Sequence, residues 1–231
     1  REQMGIGTVS WAYPQMGIVA TVEHERPHNG VAYEHFLPSG PFAILPMTGN
    51  RSSLVWTERE DIAPAMMKLP EDDFNAQIAQ RFGDHLGATK AAGPRWCYPL
   101  RFHLARAYVR TRFALAGDAA HGIHPIAGQG LNLGLKDAAA LAEVGLDAAR
   151  LGLDIGSIET LSRYERWRRF DSFALAASTD ALNRLFSNDV APLRAIRDLG
   201  MGMVDQIGPL RRFFMRHAGG AVGKLPRLLK G

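Results

Sequence analysis

The chain of 231 residues has one cysteine, Cys97. A single thiol excludes an internal disulfide and fits a reducing compartment. Flanked by Trp96 and Tyr98, it reads as a small, buried apolar residue. No apolar run approaches the roughly 18 residues of a membrane span, and no secretory signal opens the chain. Internal repeats and low-complexity segments are absent. There is no G-x-S-x-G, and Ser39 lies in a Pro/Gly turn, so a serine hydrolase is unsupported. There is also no G-x-G-x-x-G. The nearest string, Gly5 to Ser10, lacks the third glycine and a preceding strand. In Gly128 to Gly134 the third glycine falls one position late. A complete dinucleotide-binding βαβ unit is therefore missing. Acid is missing too: none follows Asp205, while Arg211, Arg212, Arg216, Lys224, Arg227 and Lys230 carry more positive charge than the whole net excess of +4.

What is present is ordinary for a globular chain, with 46% hydrophobic and 22% charged residues. Residues 4–57 read as β: Ile18 to Val22, Ala32 to Leu37, Phe42 to Leu45 and Ser53 to Trp56, separated by turns at Pro27 to Gly30, Pro38 to Pro41 and Thr48 to Asn50. Their regular spacing argues an antiparallel sheet. Two short helices are expected around Leu69-Pro70, the first from near Glu58. The second opens on Glu71, Asp72 and Asp73, as its dipole favours. Residues 95–109 read as β again. A helix from about Leu131 to Ala149 is apolar on nearly every side, which implies burial. Ser157 offers the N-cap of a long helix, on which Trp167, Phe170, Ala174, Ala177, Ala181 and Leu185 form one stripe, read as core. Arg163, Arg166, Arg168 and Arg169, beside Glu159, Glu165 and Asp171, read as a solvated mixed-charge face, so no nucleic acid is expected. Beyond Asn188, helices are expected over about 191–205 and 209–217. Leu210, Phe213, Phe214 and Met215 among the arginines suit an anionic membrane surface, a partner subunit or the body of the protein.

The chain is organised around Arg112 to Glu143. Phe113 to Ala116 read as a short buried strand, broken by Gly117 and Asp118. A Gly/Pro loop follows, and then the helix. The first N–H groups of a helix lack partners and its dipole makes that end positive. Gly128 and Gly130 let a ligand lie against the backbone. Asp118, an acceptor when ionised, would repel phosphate and suit a sugar or polyol hydroxyl. A flavin has both halves: a ribityl chain for Asp118, and an electron-rich ring edge for residues 128–132. Asp118, His121 and His124 stand at i, i+3 and i+6, but no fourth ligand is evident and the Gly-Gln-Gly helix start would go unexplained. The reading is no metal.

The run from Gly117 to Leu141 resembles the second flavin motif of the aromatic-ring monooxygenases related to para-hydroxybenzoate hydroxylase, and above all the ubiquinone-biosynthesis hydroxylases. The resemblance extends to residues 17–47 and 52–56 upstream and to 163–189 downstream. It implies an α+β fold: an antiparallel substrate-domain sheet with two short helices (1–105), the C-terminal strand and helix of a truncated FAD-binding α/β domain (106–150), and a C-terminal helical region (151–231). It implies that Asp118 binds the ribityl chain of FAD, and that Pro125, Gly128, Gln129, Gly130, Leu131 and Asn132 line the isoalloxazine. The sheet would lie over the ring, with Phe36, Phe42 and Ile44 as candidates for its inner face; which parity faces inward is undecided, and plain core suits each as well. His124 would touch cofactor or substrate, or only hold the loop. No residue stands out as a catalytic base.

Such enzymes open with a G-x-G-x-x-G unit, and this chain begins at Arg1. It reads as the C-terminal portion of a longer flavoprotein, with NADH or NADPH as reductant. The implied activity is ring hydroxylation of a polyprenyl-phenol in ubiquinone biosynthesis, with this fragment alone inactive. The alternatives are another FAD-dependent phenol hydroxylase, and a non-catalytic binding or assembly domain with a vestigial flavin site. Expected partners are the substrate, a membrane surface at the basic tail, and further copies or a ubiquinone-biosynthesis complex. The expected location is cytoplasmic or peripheral on the inner membrane face.

Overall fold

A computed structural model gives the fold and describes residues 1–125, 128–186, 208 and 225–230, without the side chains of 182 and 184–186. The tail residues Leu210, Arg211, Arg212, Phe213, Phe214, Met215 and Arg216 lie outside that range, as do Ile126 and Ala127. Among the described residues no helix is long and apolar enough to cross a membrane.

The elements run β1 (Thr8–His24), β2 (Tyr33–Leu37), β3 (Gly40–Pro46), β4 (Arg51–Arg59), α1 (Ala63–Lys68), α2 (Glu71–Phe82), β5 (Thr89–Ala105), β6 (Val109–Arg110), β7 (Phe113–Ala114), β8 (His121–Gly122), α3 (Gly130–Arg150) and α4 (Ile158–Phe186). A six-stranded sheet has the order β2-β3-β4-β1-β5-β8, and β6 pairs with β7. The chain divides into two compact units, one centred on residues 12–100 and the other built from 1–11, 101–182 and 190–231.

In the sheet unit, pairing is antiparallel and in register: Ile18 faces Trp56, which faces Phe42, and Phe42 faces His35. Side chains opposite one another share a face. Ile18, Trp56 and Phe42 of that row, with Ala20, Leu54 and Ile44 beside them, are buried under α2. Helix α2 meets them with Phe74, Ile78 and Phe82, spaced i, i+4, i+8 along one stripe. Arg81 stacks its guanidinium 4.3 Å from the Trp56 ring centre. The turn at Leu69-Pro70 and the acidic first turn of α2 are as expected. The first helix is shorter than expected and starts at Ala63, because Glu58 and Arg59 continue strand β4.

The second unit departs further from the sequence pattern. Only Phe113–Ala114 form a strand, half-buried and paired with the two residues of β6. Helix α3 buries one stripe, Leu133, Asp137, Ala140, Val144 and Ala148. A second apolar stripe, Leu131, Leu135 and Leu146, is exposed, so the all-round apolarity reflects two faces and only one is in the core. Ser157 caps α4 as expected, its hydroxyl accepting the N–H of Thr160 at 3.2 Å. The core stripe of α4 is shifted by one residue from the aromatic one, of which Trp167 packs against the core and the side chain of Leu185 lies outside the described residues. Leu161, Tyr164, Arg168, Ser172, Ala176 and Thr179 are buried, while Phe170 is 73% exposed and Phe173, Ala174, Ala177 and Ala181 are exposed as well. Arg168 belongs to the core and not to the solvated face. The reason is a buried carboxylate on α3 that needs a cation.

Candidate functional site

Beyond strand β7, Leu115 and Ala116 lead into a turn through Gly117–Ala119. Gly117 has a left-handed φ of 58°, a conformation costly for residues with a Cβ. Its backbone also lies against α3: a Cβ built on Gly134 would meet the Gly117 Cα at 3.4 Å. Two glycines thus let the turn carrying Asp118 rest on the first turns of the helix.

Asp137 fixes that contact. Fully buried on α3, its Oδ2 accepts the Gly117 N–H at 3.0 Å and the His121 Nε2–H at 2.6 Å, and its Oδ1 accepts the Arg168 Nε–H at 2.8 Å. Burial alone would raise the Asp137 carboxyl, but the hydrogen bonds from His121 and Arg168, with that from Gly117, hold it below its ordinary value. Arg168 reaches on to Asp171 at 2.8 Å. Tyr164 donates to the Leu115 carbonyl at 2.7 Å, pinning the end of the same strand. Burial pushes the nearby Tyr108 hydroxyl up to about 12. None of these anchoring roles was read from the sequence. The available signal was Asp137 itself, one carboxylate inside the apolar run of α3.

On this scaffold the expected flavin residues come together in one loop and helix start. Asp118 is exposed, while its carbonyl accepts from His103 Nε2 at 2.6 Å. The Pro125 carbonyl accepts the Gly128 N–H at 2.8 Å, closing a turn in which Gly128 has φ +59°. Gln129 stands at the N-cap of α3, buried, and accepts from Asn132 Nδ2 at 3.1 Å. Among the described residues no side chain caps the helix, so its first turn presents a positive dipole end. Around Gly128 and Gly130 a built Cβ meets nothing within 4 Å. Leu131 is 75% exposed and Asn132 is exposed beside it. A bare helix start, an open glycine surface, an exposed carboxylate and an uncovered leucine are the donor set and space that a flavin needs, and the residues present fit that group.

His124 is fully buried, and that burial pushes its imidazole down to about 4, against a smaller opposing pull from Asp180. It is neutral at neutral pH. His121 bonds to Asp137, and among the described residues no three His, Cys, Asp or Glu side chains are grouped to hold a metal. Phe42 and Ile44 are enclosed in the sheet core and face α2; they do not line an open face. Phe36 has the opposite parity and is 40% exposed. In the tail, Arg227 pairs with Glu143 and Asp147 of α3, which ties that cation to the body of its own unit.

The chain is 57% identical over 235 residues to the ubiquinone hydroxylase UbiL of Rhodospirillum rubrum, covering 100% of this chain and 54% of that protein. It is 36% identical over 252 residues to the human ubiquinone biosynthesis monooxygenase COQ6, mitochondrial, covering 94% of this chain and 54% of that one. The chain therefore spans about half the length of the curated relatives it matches. Among solved structures, the p-nitrophenol 4-monooxygenase PnpA of Pseudomonas putida DLL-E4 shares the fold, with a TM-score of 0.74 at 20% identity over 97% of this chain and 56% of that one. The FAD binding domain family model matches residues 2–166, through both units and the Asp118–Asn132 loop, and the chain belongs to that family.

Proposed function

We propose that the full-length protein is an FAD-dependent monooxygenase that hydroxylates the ring of a polyprenyl-phenol intermediate of ubiquinone biosynthesis. The observation that carries this reading is the uncapped start of α3, with open space around Gly128 and Gly130 and the Asp118 turn fastened beside it through Gly117, Gly134 and Asp137. The names of the relatives supply the substrate class.

Asp118 accepts hydrogen bonds from the hydroxyls of the ribityl chain. The first N–H groups of α3, from Gly130 to Asn132, stabilise negative charge on the edge of the ring system. Pro125 and Leu131 supply apolar walls, and Gln129 holds Asn132 in place. Neutral His124 keeps the loop in shape without adding a charge beside it. When bound, FAD supplies two-electron transfer from NADH or NADPH and the activation of dioxygen. This chain alone retains only part of such a site and gives weak flavin binding and no turnover. The basic tail gives the protein peripheral contact with the membrane that holds its polyprenyl substrate.

The test is the flavin spectrum and phenol-dependent oxygen uptake of the purified full-length protein, with NADH and NADPH compared. Bound flavin and a hydroxylated product are expected, and Asp118→Ala is expected to lower flavin retention. A full-length protein that holds no flavin, or an Asp118→Ala variant with unchanged occupancy, overturns the assignment. Vesicles of anionic lipid should retain the protein at low salt and release it at high salt.

A further inference from the structure

Five side chains of the second unit close into a ring. Asp137 of α3 bonds to His121 of β8 at 2.6 Å and to Arg168 of α4 at 2.8 Å. Arg168 stands one turn before Ser172 on α4, so the two share a face. The Ser172 hydroxyl lies beside that of Tyr108 and opposes the upward push of burial on it, yet the two form no hydrogen bond. Tyr108, between β5 and β6, has its ring centre 6.2 Å from that of His121, which completes the circuit. All five residues are at most 1% exposed, so bulk solvent reaches none of these side chains.

The ring leaves polar atoms over. Among the described residues seven buried side-chain atoms have no hydrogen-bond partner, and four of them are here: Tyr108 Oη, His121 Nδ1, Arg168 Nη2 and Ser172 Oγ. The other three, on Thr57, His85 and Thr89, belong to the sheet unit. A buried polar atom without a partner is costly, and four at one spot would undo much of what the bonds to Asp137 contribute.

The chemistry of these atoms defines what satisfies them. Arg168 Nη2 can only donate, which excludes a cation. His121 gives its Nε2 proton to Asp137, so in the neutral ring Nδ1 can only accept, and an anion has no proton to offer it. Charge points the same way. Asp137 and Asp171 share the one guanidinium, and Glu165 accepts the Tyr108 N–H at 2.7 Å, so an anion would enter among three carboxylates. The two hydroxyls both donate and accept. A partner for all four atoms is neutral, small and able to do both, and water has those properties. Serine extends one heavy atom beyond its Cβ, which leaves room for it on the α4 side.

We propose that one buried water bridges Arg168 Nη2, His121 Nδ1 and the hydroxyls of Tyr108 and Ser172, as a fixed part of the core on which the Asp118 turn rests. It accepts from Arg168, donates to His121 and shares its two remaining bonds with the hydroxyls. His121 and Arg168 are then joined twice, through the Asp137 carboxylate on one side and through water on the other. The connection between β5 and β6 is tied to α4 by the same molecule. The site is independent of the monooxygenase reading, since neither cofactor nor substrate takes part in it.

The experiment is the crystal structure of the full-length protein, at a resolution that shows ordered water, from crystals grown with and without sodium bromide. A water-sized peak within about 3.2 Å of at least three of the four atoms is expected, with no anomalous signal from bromide. No peak, or direct hydrogen bonds that satisfy the four atoms among themselves, overturns the inference. So does an anomalous peak, which would make the site an anion's. Ser172→Val and Ser172→Ala test it in solution. Valine takes the place of the water and strands Arg168 and His121, whereas alanine leaves the water three partners. The unfolding equilibrium of Ser172→Val should be about tenfold less favourable to the folded state than that of Ser172→Ala. In a dry core the added methyl groups would gain contacts instead, so a valine variant as stable as the alanine one overturns the inference. If the valine variant does not fold, the alanine variant decides: its structure should keep the peak, and loss of the peak there overturns it.

Discussion

Trp56 and Arg168 are both among the largest fully buried side chains of the chain, and they are buried by opposite means. Trp56 lies in the sheet unit among Ile18, Phe42 and Phe74, an apolar core between a regular sheet and a helix. Arg168 lies in the second unit, where helices α3 and α4 meet a short strand through a carboxylate, a guanidinium and an imidazole. The first core gains its stability from area removed from water, which tolerates small changes of shape. The second depends on every partner being present, because a buried charge left alone is costly. The residues proposed to hold flavin are mounted on the second kind of core. Position there is set by directional bonds to Gly117 and His121 rather than by packing alone.

The sharpest way to break that contrast is to remove the shared carboxylate. Asp137→Ala should cost about 3–5 kcal/mol, since it strands Arg168 and frees the Gly117 N–H. Ile78→Val in the sheet core should cost only about 0.5–1.5 kcal/mol. Urea denaturation of both variants measures the difference. The double replacement Asp137→Leu with Arg168→Met should be less damaging than either single one, and a double variant as unstable as the sum would refute the ionic account.

Acid should separate the two cores next. His124 has its folded value lowered to about 4 from 6.5, so the unfolded chain takes up the proton first. Stability is full above about pH 6.5 and falls as pH drops toward 4, by roughly 3 kcal/mol. Asp137, whose folded value lies below 3.8, adds a second loss at still lower pH. In His124→Gln the first decline should flatten, as read by denaturation midpoints between pH 7 and 4. Gly130→Val tests whether the open helix start serves a ligand. Its Cβ meets nothing within 4 Å among the described residues, so stability should hardly change, whereas flavin retention by the full-length protein should fall about tenfold, or roughly 1.4 kcal/mol. Equal flavin retention would detach the helix start from the cofactor. The smallest effect is Ser157→Ala, which removes the cap of α4 and should cost about 1 kcal/mol in the same denaturation assay.

The two cores also differ in how far they could be read in advance. In the sheet unit the expected strands fall inside β1 to β4, apart from Ala32, and the expected turns lie between them or at their ends, because alternation and Gly/Pro punctuation are local signals. The ends were less visible: β1 begins ten residues before Ile18, and Glu58 extends a strand where a helix start was expected. On α4 the same method chose the wrong stripe. It followed Phe170, Ala174 and Ala177, which are apolar, and passed over Arg168 and Ser172, which are buried. Hydrophobic periodicity cannot locate a face whose burial is driven by a distant charge, since Asp137 is 31 residues away. The flavin loop was legible as a motif from Gly117 onward. The bond network that holds it was not, because the bonds to Asp137 join residues 16 to 31 apart in sequence. The membrane and partner expectations for residues 210–216 lie outside the described residues.

The distance between Asp137 and Arg168 has a further consequence, in time. As the chain is made, residues 12–100 emerge in one stretch and bring nearly all of the sheet unit with them. The carboxylate of Asp137 then leaves the ribosome 31 residues ahead of the guanidinium that neutralises it, an interval of about 2–6 s at ordinary rates of synthesis. Until then Asp137 stays hydrated, helix α3 has no reason to bury it, and the Asp118 turn has nothing firm to rest on. The Asp118 loop therefore takes its shape late, when the middle of α4 arrives, and a ribosome stalled between the two residues would display an ordered sheet unit and a loose Asp118 loop.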